Sequence, residues 1–249
     1  MDAIIIAAGS GKRISDEVKS TPKSLINVNG KPIINFQIEA LREVGIDNII
    51  VIIGKYSEKF QIKNVHYVKD SNHENHDILG SLMEAKDFLK NNVLVMYSDI
   101  LFEPKILQQM LDSKSNISIA VDNDWKKNYE GRTQHPISEA ENVLINDNQE
   151  IIKIKKNIKN DNFSVGEFLG IIKFVNDGTK IFVEKYDEMI GKNQGRFHDA
   201  PSILKSYLTD MLQELIDCQI KIEPVFVSGK WCEIDTMQDL KKAEEKFSD

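Results

Sequence analysis

The stretch Asp2-Ala3-Ile4-Ile5-Ile6-Ala7-Ala8-Gly9-Ser10-Gly11-Lys12-Arg13 decides the fold. Residues 3–8 form a short isoleucine-rich run with no polar alternation, closed by glycine. Such a run reads as a strand buried on both faces, as in parallel sheets. The two glycines that follow let backbone come close to a ligand, and successive N–H groups in such a turn bind phosphate oxygens. Lys12 and Arg13 add positive charge. Two common phosphate loops do not fit. A Walker loop needs glycine at position 6 and Ser or Thr at 13, where this chain has Ile6 and Arg13; a dinucleotide fingerprint needs a third glycine at 14, which is Ile14. A generic NTPase and a dinucleotide dehydrogenase both lose ground. The glycines alone also fit a tight strand-to-helix turn that binds nothing.

The same grammar continues outward. In residues 33–44, Ile34, Ile38 and Leu41 make a helix stripe, with Gly45 as its stop. Residues 49–53 read as a second buried strand and 65–68 as a weaker third. Residues 78–89 place Ile78, Leu82, Ala85 and Leu89 on one helix side. Residues 93–97 form another buried strand, followed by Ser98-Asp99. Pro104 opens a helix to residue 111, and 117–121 is a strand. This alternation predicts an α/β, Rossmann-like, three-layer α/β/α fold with a mixed, mostly parallel central sheet. The middle differs. Residues 125–141 are polar and irregular, and short strands at 143–145, 151–154 and 168–174 predict a small antiparallel insertion. Helices are expected at 179–189 and 201–218, a strand at 222–227, and a mobile loop at 191–195. Thr236-Met237-Gln238-Asp239 resembles a capping box opening the last helix. Repeats and long linkers are absent, so residues 1–249 are expected to form a single domain. Residues 1–121 would be its nucleotide-binding half and 122–249 its acceptor-binding and C-terminal half.

Composition narrows the function. A net charge of −7 argues against a general nucleic-acid binder, yet permits one small anionic ligand in a locally basic pocket. Cys218 and Cys232 form no CxxC pair, which fits reduced thiols in a cytoplasmic protein. No apolar run approaches the ~18 residues of a spanning helix, and the first residues lack the pattern of a signal peptide.

Three further features carry chemistry. In Thr21-Pro22-Lys23-Ser24-Leu25, Pro22 biases Thr21 toward extended backbone and helps aim Lys23, whose charge suits a transferring phosphoryl group. A surface lysine is the plain alternative. Asp99 follows a buried strand, at the edge where α/β folds bind ligands. Asp235 lies in Trp231-Cys232-Glu233-Ile234-Asp235-Thr236. Two carboxylates converging on phosphates suit Mg²⁺, although helix N-terminal chemistry also accounts for Asp235. His73-Glu74-Asn75-His76 lacks the spacing of a zinc HExxH and reads as a polar loop.

Residues 7–13, Pro22-Lys23, the strand-terminal Asp99 and Glu233-Ile234-Asp235-Thr236 together resemble the MobA-like nucleotidyltransferases that activate sugar phosphates and phospho-alcohols. The family pattern is LAAGxGxRL…PKxL…D…D. Here Ile6 and Ile14 replace leucines, and Ser98-Asp99 stands where many members have Gly-Asp. The chain is most similar to the cytidylyltransferases of the phosphocholine and phosphonate-tailoring types. That likeness rests on Ser98 to Phe102, Trp125 to Tyr129, Gly131-Arg132, His135-Pro136, Glu139-Ala140-Glu141, Gly166-Glu167-Phe168, Tyr207 to Asp210 and Trp231 to Thr236.

The resemblance implies a Mg²⁺-dependent transfer of CMP from CTP, with release of pyrophosphate. The acceptor would be a small phosphonate (2-aminoethylphosphonate or 2-hydroxyethylphosphonate type) or a phospho-alcohol. Ala7, Ala8, Gly9, Ser10, Gly11, Lys12 and Arg13 would hold the triphosphate, with Arg13 and Lys23 as catalytic cations on its oxygens. Gly80 and Ser81 would line the base pocket. Asp99 would face the nucleotide and, with Asp235, hold the metal. For the acceptor, Arg132 would pair with the phosphonate, Trp125, Tyr129 and Trp231 would wall an ammonium head, and Glu139, Glu141 or Glu167 would balance its charge. Packing roles for the tryptophans and a surface ion pair for Arg132 stay open. His135 and His198 receive no base role, because a substrate oxyanion needs little general-base help. A sugar-1-phosphate nucleotidyltransferase, a phosphocholine enzyme and a non-catalytic nucleotide-binding regulator remain alternatives, and a homodimer is compatible with the sequence.

Overall fold

The computed structural model describes residues 1–9, 21–160, 162–192 and 195–248. Residues 10–13 of the expected phosphate loop, and 193–194 of the expected mobile loop, lie outside the described residues.

The first half alternates as the apolar runs dictate: β1 (Asp2–Ala7), a small ribbon of β2 (Asn27–Val28) and β3 (Lys31–Pro32), α1 (Ile33–Glu43), β4 (Ile49–Ile53), β5 (His66–Lys69), α2 (Ile78–Glu84) and β6 (Val93–Tyr97). The chain continues through β7 (Ile100–Phe102), α3 (Pro104–Asp112), β8 (Ile117–Asp122), β9 (Glu141–Ile145), β10 (Ile151–Lys156) and β11 (Ser164–Phe174). It ends with α4 (Gly178–Lys192), α5 (Leu208–Asp217), β12 (Glu223–Phe226), β13 (Trp231–Glu233) and α6 (Met237–Lys246). The main sheet runs β5-β4-β1-β6-β11-β8-β12. Its β5-β4-β1-β6 part and the β8-β12 pair are parallel, and β11 is antiparallel to both neighbours. Helix α1 packs with α3, and α5 packs with α2 and α4. Residues Ala3 to Ala7 of β1 and all of β4 are buried, as strands covered on both faces must be. Each such isoleucine contributes about 1.5–3 kcal/mol of burial.

Strand order reverses at β1, with β4 on one side and β6 on the other. Ligands of open α/β sheets bind at the carboxyl ends of strands at such a switch point. Long β11 extends the floor. Its second half pairs with β6 and its first half with β9, and the register shifts between Phe168 and Ile172. Gly170 sits at that bulge with φ +69°, and a Cβ there would lie 2.3 Å from the Tyr97 ring. Only glycine allows both the backbone and the close ring. The β9-β10 ribbon is the expected antiparallel insertion.

Two helices start or stop where periodicity alone did not place them. The expected helix 201–218 begins only at Leu208, where the Asp210 carboxylate accepts the Tyr207 N–H at 2.8 Å. The preceding residues are drawn to α2 instead, with the N–H groups of Asp77 and Leu79 donating to the carbonyls of Leu204 and Ser206. Helix α2 stops at Glu84 and a 3-10 turn, Lys86–Phe88, replaces its expected end. Among the described residues no helix is long and apolar enough to cross a membrane.

Candidate active site

A cleft of about 580 Å³ opens at the ends of β1 and β6. Lys23 enters it from one side. Pro22 (φ −52°) starts a 3-10 turn, closed by the Leu25 N–H on the Pro22 carbonyl at 2.9 Å, and Ser24 is buried beneath. Asp99 sits in the turn after β6. That turn is braced from α1, because the buried Gln37 side-chain amide donates to the carbonyls of both Tyr97 and Ile100 at 2.8 Å. Asp235 arrives from the far end of the chain. Strand β13 pairs with β7 so that Glu233 faces Ile100, and the Ile234 N–H donates to the Asp99 carbonyl at 2.9 Å. These backbone bonds set the two aspartates side by side.

The Lys23 ammonium bridges them, 2.7 Å from an Asp99 oxygen and in direct contact with Asp235. Burial pulls its pKa down, but Asp99, Asp235 and Glu233 outweigh burial and hold it above the usual lysine range. Burial pushes the Asp235 carboxyl up, yet His135 and Lys23 overcome that and hold it below the ordinary value. His135 Nδ1 lies 2.9 Å from the second Asp235 oxygen. Glu233 is crowded by burial and then by Asp235 and Asp99, so its carboxyl is held well above the usual range. The other Asp99 oxygen, Oδ1, is buried with no hydrogen-bond partner.

The opposite wall is acidic. Glu141 on β9 and Glu167 on β11 both line the cleft. Burial pushes Glu141 up to about 7 against the pull of Lys156 and Tyr97, and Glu167 up to about 8 against Tyr129 and Arg132. Trp231 also lines the cleft, with its indole N–H donating to Asp122 at 2.8 Å. Glu139 lies there too, 3.0 Å from the Lys156 ammonium.

Ala8, Gly9, Lys23, Ser81 and Asp99 line the cleft among the residues expected to meet nucleotide. Ala7 ends β1 beneath it. Gly80 faces inward, where an added Cβ would meet the Leu204 carbonyl at 2.6 Å. Ser81 donates to the fully buried Asp70 carboxylate at 2.7 Å, and His76 Nδ1 lies 3.0 Å from it, so Asp70 ties the polar loop to α2.

Three expected acceptor residues lie outside the cleft lining. Trp125 is buried in a small cluster with Tyr129 and Ala140, its indole N–H donating to the Val165 carbonyl at 2.8 Å. Tyr129 donates its hydroxyl to Glu167 at 2.6 Å and has the Arg132 guanidinium 4.7 Å over its ring. Arg132 is committed to Asp239 at 2.7 Å. Asp239 in turn accepts from the N–H groups of Asp235 and Thr236, closing the capping box at the start of α6. These three residues therefore support the walls from behind. Sequence reasoning missed Gln37 and gave no role to His135. A polar residue on the inner face of α1 was the available signal for Gln37.

A MobA-like NTP transferase domain matches residues 3–144. Over its full length the chain is similar to the CTP:phosphoglutamine cytidylyltransferase of Campylobacter jejuni, 30% identical with 99% of this chain and 100% of that one covered. The choline-phosphate cytidylyltransferase of Streptococcus pneumoniae is 37% identical over 41% of this chain and 47% of its own. A solved structure of CTP:phosphocholine cytidylyltransferase from Streptococcus pneumoniae covers 99% of each chain with a TM-score of 0.70; at 23% identity the likeness is one of fold. With the switch-point cleft and its lysine-bridged aspartates, these matches show that the chain is a nucleotidyltransferase belonging to the MobA-like NTP transferase family.

Proposed function

We propose that the cleft transfers CMP from CTP to the phosphate or phosphonate oxygen of a small acceptor and releases pyrophosphate. The observation that carries this reading is the convergence of Lys23, Asp99 and Asp235 at the switch point. CTP as the donor follows from the likeness to cytidylyltransferases along the whole chain. An acceptor oxyanion attacks the α-phosphorus in line, the bond to the bridging oxygen of pyrophosphate breaks, and that oxygen keeps the electron pair. The attacking oxygen carries no proton, so no side chain has to serve as base or nucleophile. Positioning and charge neutralisation are what the protein supplies.

Magnesium is the metal we assign. Asp99 and Asp235 offer hard oxygen donors, and the unpartnered buried Oδ1 of Asp99 fits a cation. Asp99 and Asp235 would hold the ion, which supplies charge neutralisation to the phosphates when bound. Lys23 presents a permanent cation to the charge developing on the phosphoryl oxygens. His135 fixes Asp235 by occupying its second oxygen. Gly9 leaves open space beside the end of β1, where a phosphate would approach.

The test is a matrix of CTP, UTP, ATP and GTP against phosphocholine, 2-aminoethylphosphonate, 2-hydroxyethylphosphonate and glucose 1-phosphate, with Mg²⁺ and pyrophosphate as readout. CTP-dependent release with a phosphonate or phospho-alcohol is expected. Release only with glucose 1-phosphate would move the protein to the sugar-activating enzymes. CTP binding without release across the matrix would make it a regulator.

A further inference from the structure

The two carboxylates that converge on Lys23 reach the cleft from short connections, and each needs its main chain held. The turn of Asp99 has the Gln37 amide across it. Asp235 is served by the first turn of α6. Asp239 is 2% exposed, and its Oδ2 accepts the N–H groups of Asp235 at 3.2 Å and Thr236 at 2.9 Å and the Thr236 hydroxyl at 2.8 Å. The Thr236 N–H bond and the bond from the Asp239 N–H to Thr236 Oγ1 make the capping box; the bond from Asp235 lies outside it. Oδ1 of Asp239 accepts from Arg132 Nε at 2.7 Å. That pair balances the buried charge, so Asp239 holds Asp235 without adding net charge beside the cleft. Arg132 keeps this bond although its Nη2 is left buried with no hydrogen-bond partner, 3.6 Å from Glu233.

The residue before Asp239 serves the other side of Asp235. The Gln238 side-chain oxygen accepts the N–H groups of Thr133 at 2.8 Å and Gln134 at 3.2 Å, and its amide donates to the Gly131 carbonyl at 2.7 Å. Lys242, one turn along, donates to the Glu130 carbonyl at 2.6 Å. Residues 130–134 belong to no helix or strand, so these bonds from α6 fix the path of the chain there. The next residue is His135, whose Nδ1 lies 2.9 Å from Asp235 Oδ2. One helix turn thus reaches Asp235 twice, through its main chain and through the histidine on its carboxylate.

We propose, building on the reading of Asp99 and Asp235 as metal ligands, that the first turn of α6 is the positioning element of the metal site. Asp239 fixes the main chain of Asp235, and Gln238 fixes the loop that aims His135 at its carboxylate. Both are positioning residues that act through Asp235. Groups behind a metal ligand set its orientation, and losing one costs about 10–100-fold in metal affinity or activity.

The test reads the metal without turnover. Mg²⁺ is titrated against the full chain at constant ionic strength without nucleotide, and the rise of the urea midpoint gives its apparent Kd. Asp239→Asn should weaken Mg²⁺ binding by about tenfold or more. Gln238→Ala changes a half-buried side chain, leaves the capping box in place and should weaken binding in the same direction, so it decides the matter if Asp239→Asn folds poorly. Gln238→Glu keeps an acceptor for Thr133 and Gln134 and should restore most of the affinity. Adding Gln238→Ala to His135→Ala should lower the affinity little further, because both act on the same carboxylate. In turnover the KM for Mg²⁺ should rise in both Asp239→Asn and Gln238→Ala, with the KM for the acceptor unmoved. A merely structural cap would lower stability and leave the Mg²⁺ response at wild-type size. That result in both variants overturns the inference and leaves the metal assignment standing. A wild-type chain whose midpoint Mg²⁺ does not move overturns the inference and the metal assignment together.

Discussion

Replacing Lys23 by methionine keeps most of the side-chain volume and removes the charge that joins Asp99 to Asp235. In the wild-type chain the ammonium contacts both carboxylates, and the side chains of Lys23, Asp99 and Asp235 are 15%, 22% and 8% exposed. Removing one partner of a buried pair costs about 3–5 kcal/mol, because the remaining charge stays buried. Here two carboxylates lose the same partner, but one can take up a proton and relieve the repulsion. The expected loss is therefore at the lower end, about 3 kcal/mol at neutral pH. Urea unfolding in EDTA should show it as a midpoint lowered by about 1–3 M, since m is about 1–3 kcal/mol/M. Magnesium should then stabilise the variant more than the wild type, because the ion meets the two carboxylates without a competing ammonium. At a hundredfold excess over Kd the gain is about 2.7 kcal/mol. Turnover should nevertheless fall by about 10²–10³, the effect of losing one preorganised positive group at a reacting centre. Equal stability of variant and wild type in EDTA, or no larger magnesium response in the variant, would refute the bridge as the organiser of this site.

Other predictions rest on separate features. Gln37→Leu strips the brace from the turn that carries Asp99 and strands two carbonyls; at about 1–3 kcal/mol per unsatisfied buried group, thermal unfolding should show a loss of several degrees together with reduced turnover. Gly170→Ala forces a Cβ onto the Tyr97 ring at a left-handed backbone position, so it should destabilise by at least about 1 kcal/mol in chemical unfolding and disturb the acidic wall. The pH dependence follows from Glu141 and Glu167, whose folded values of about 7 and about 8 lie above the ordinary 4.5. Between 4.5 and those values the folded state keeps protons that the unfolded chain has released. Stability without ligand must therefore fall as pH rises through this window, by up to about tenfold in the folded-to-unfolded ratio per group and pH unit. Glu167→Gln should flatten that slope up to about pH 8, read from urea midpoints across pH.

Much of the fold was legible because its decisive elements are apolar runs closed by glycine or by a polar turn. Residues 3–8, 49–53 and 93–97 could only be strands covered on both sides, and the chemistry stood right after them, at Gly9 and Asp99. The cause of the convergence was not legible. Strands β7 and β13 have three residues each, too short for periodicity, yet their pairing brings Asp235 beside Asp99, where Lys23 joins them. Gln37 stood out only as a polar residue on the inner face of α1, and the partners of its amide, the carbonyls of Tyr97 and Ile100, lie some sixty residues further along the chain. The aromatic and arginine residues between 125 and 132 had the right chemistry for an acceptor pocket. Their placement depended on which way a 3-10 turn, Trp125–Tyr129, faced, and it turns Trp125 and Tyr129 into a small core. Arg132 was claimed by Asp239, the same carboxylate that caps α6.

The central claim concerns a new anhydride, formed when the acceptor's phosphonate oxygen bonds to the α-phosphorus of CTP. Phosphorus NMR of the protein with CTP, Mg²⁺ and 2-aminoethylphosphonate tests it most directly. The account predicts loss of the CTP and free phosphonate signals and equimolar appearance of pyrophosphate and a CMP–phosphonate anhydride, with both products abolished by Asp99→Asn. Pyrophosphate accompanied by free CMP, or unchanged CTP beside unchanged phosphonate, would contradict it.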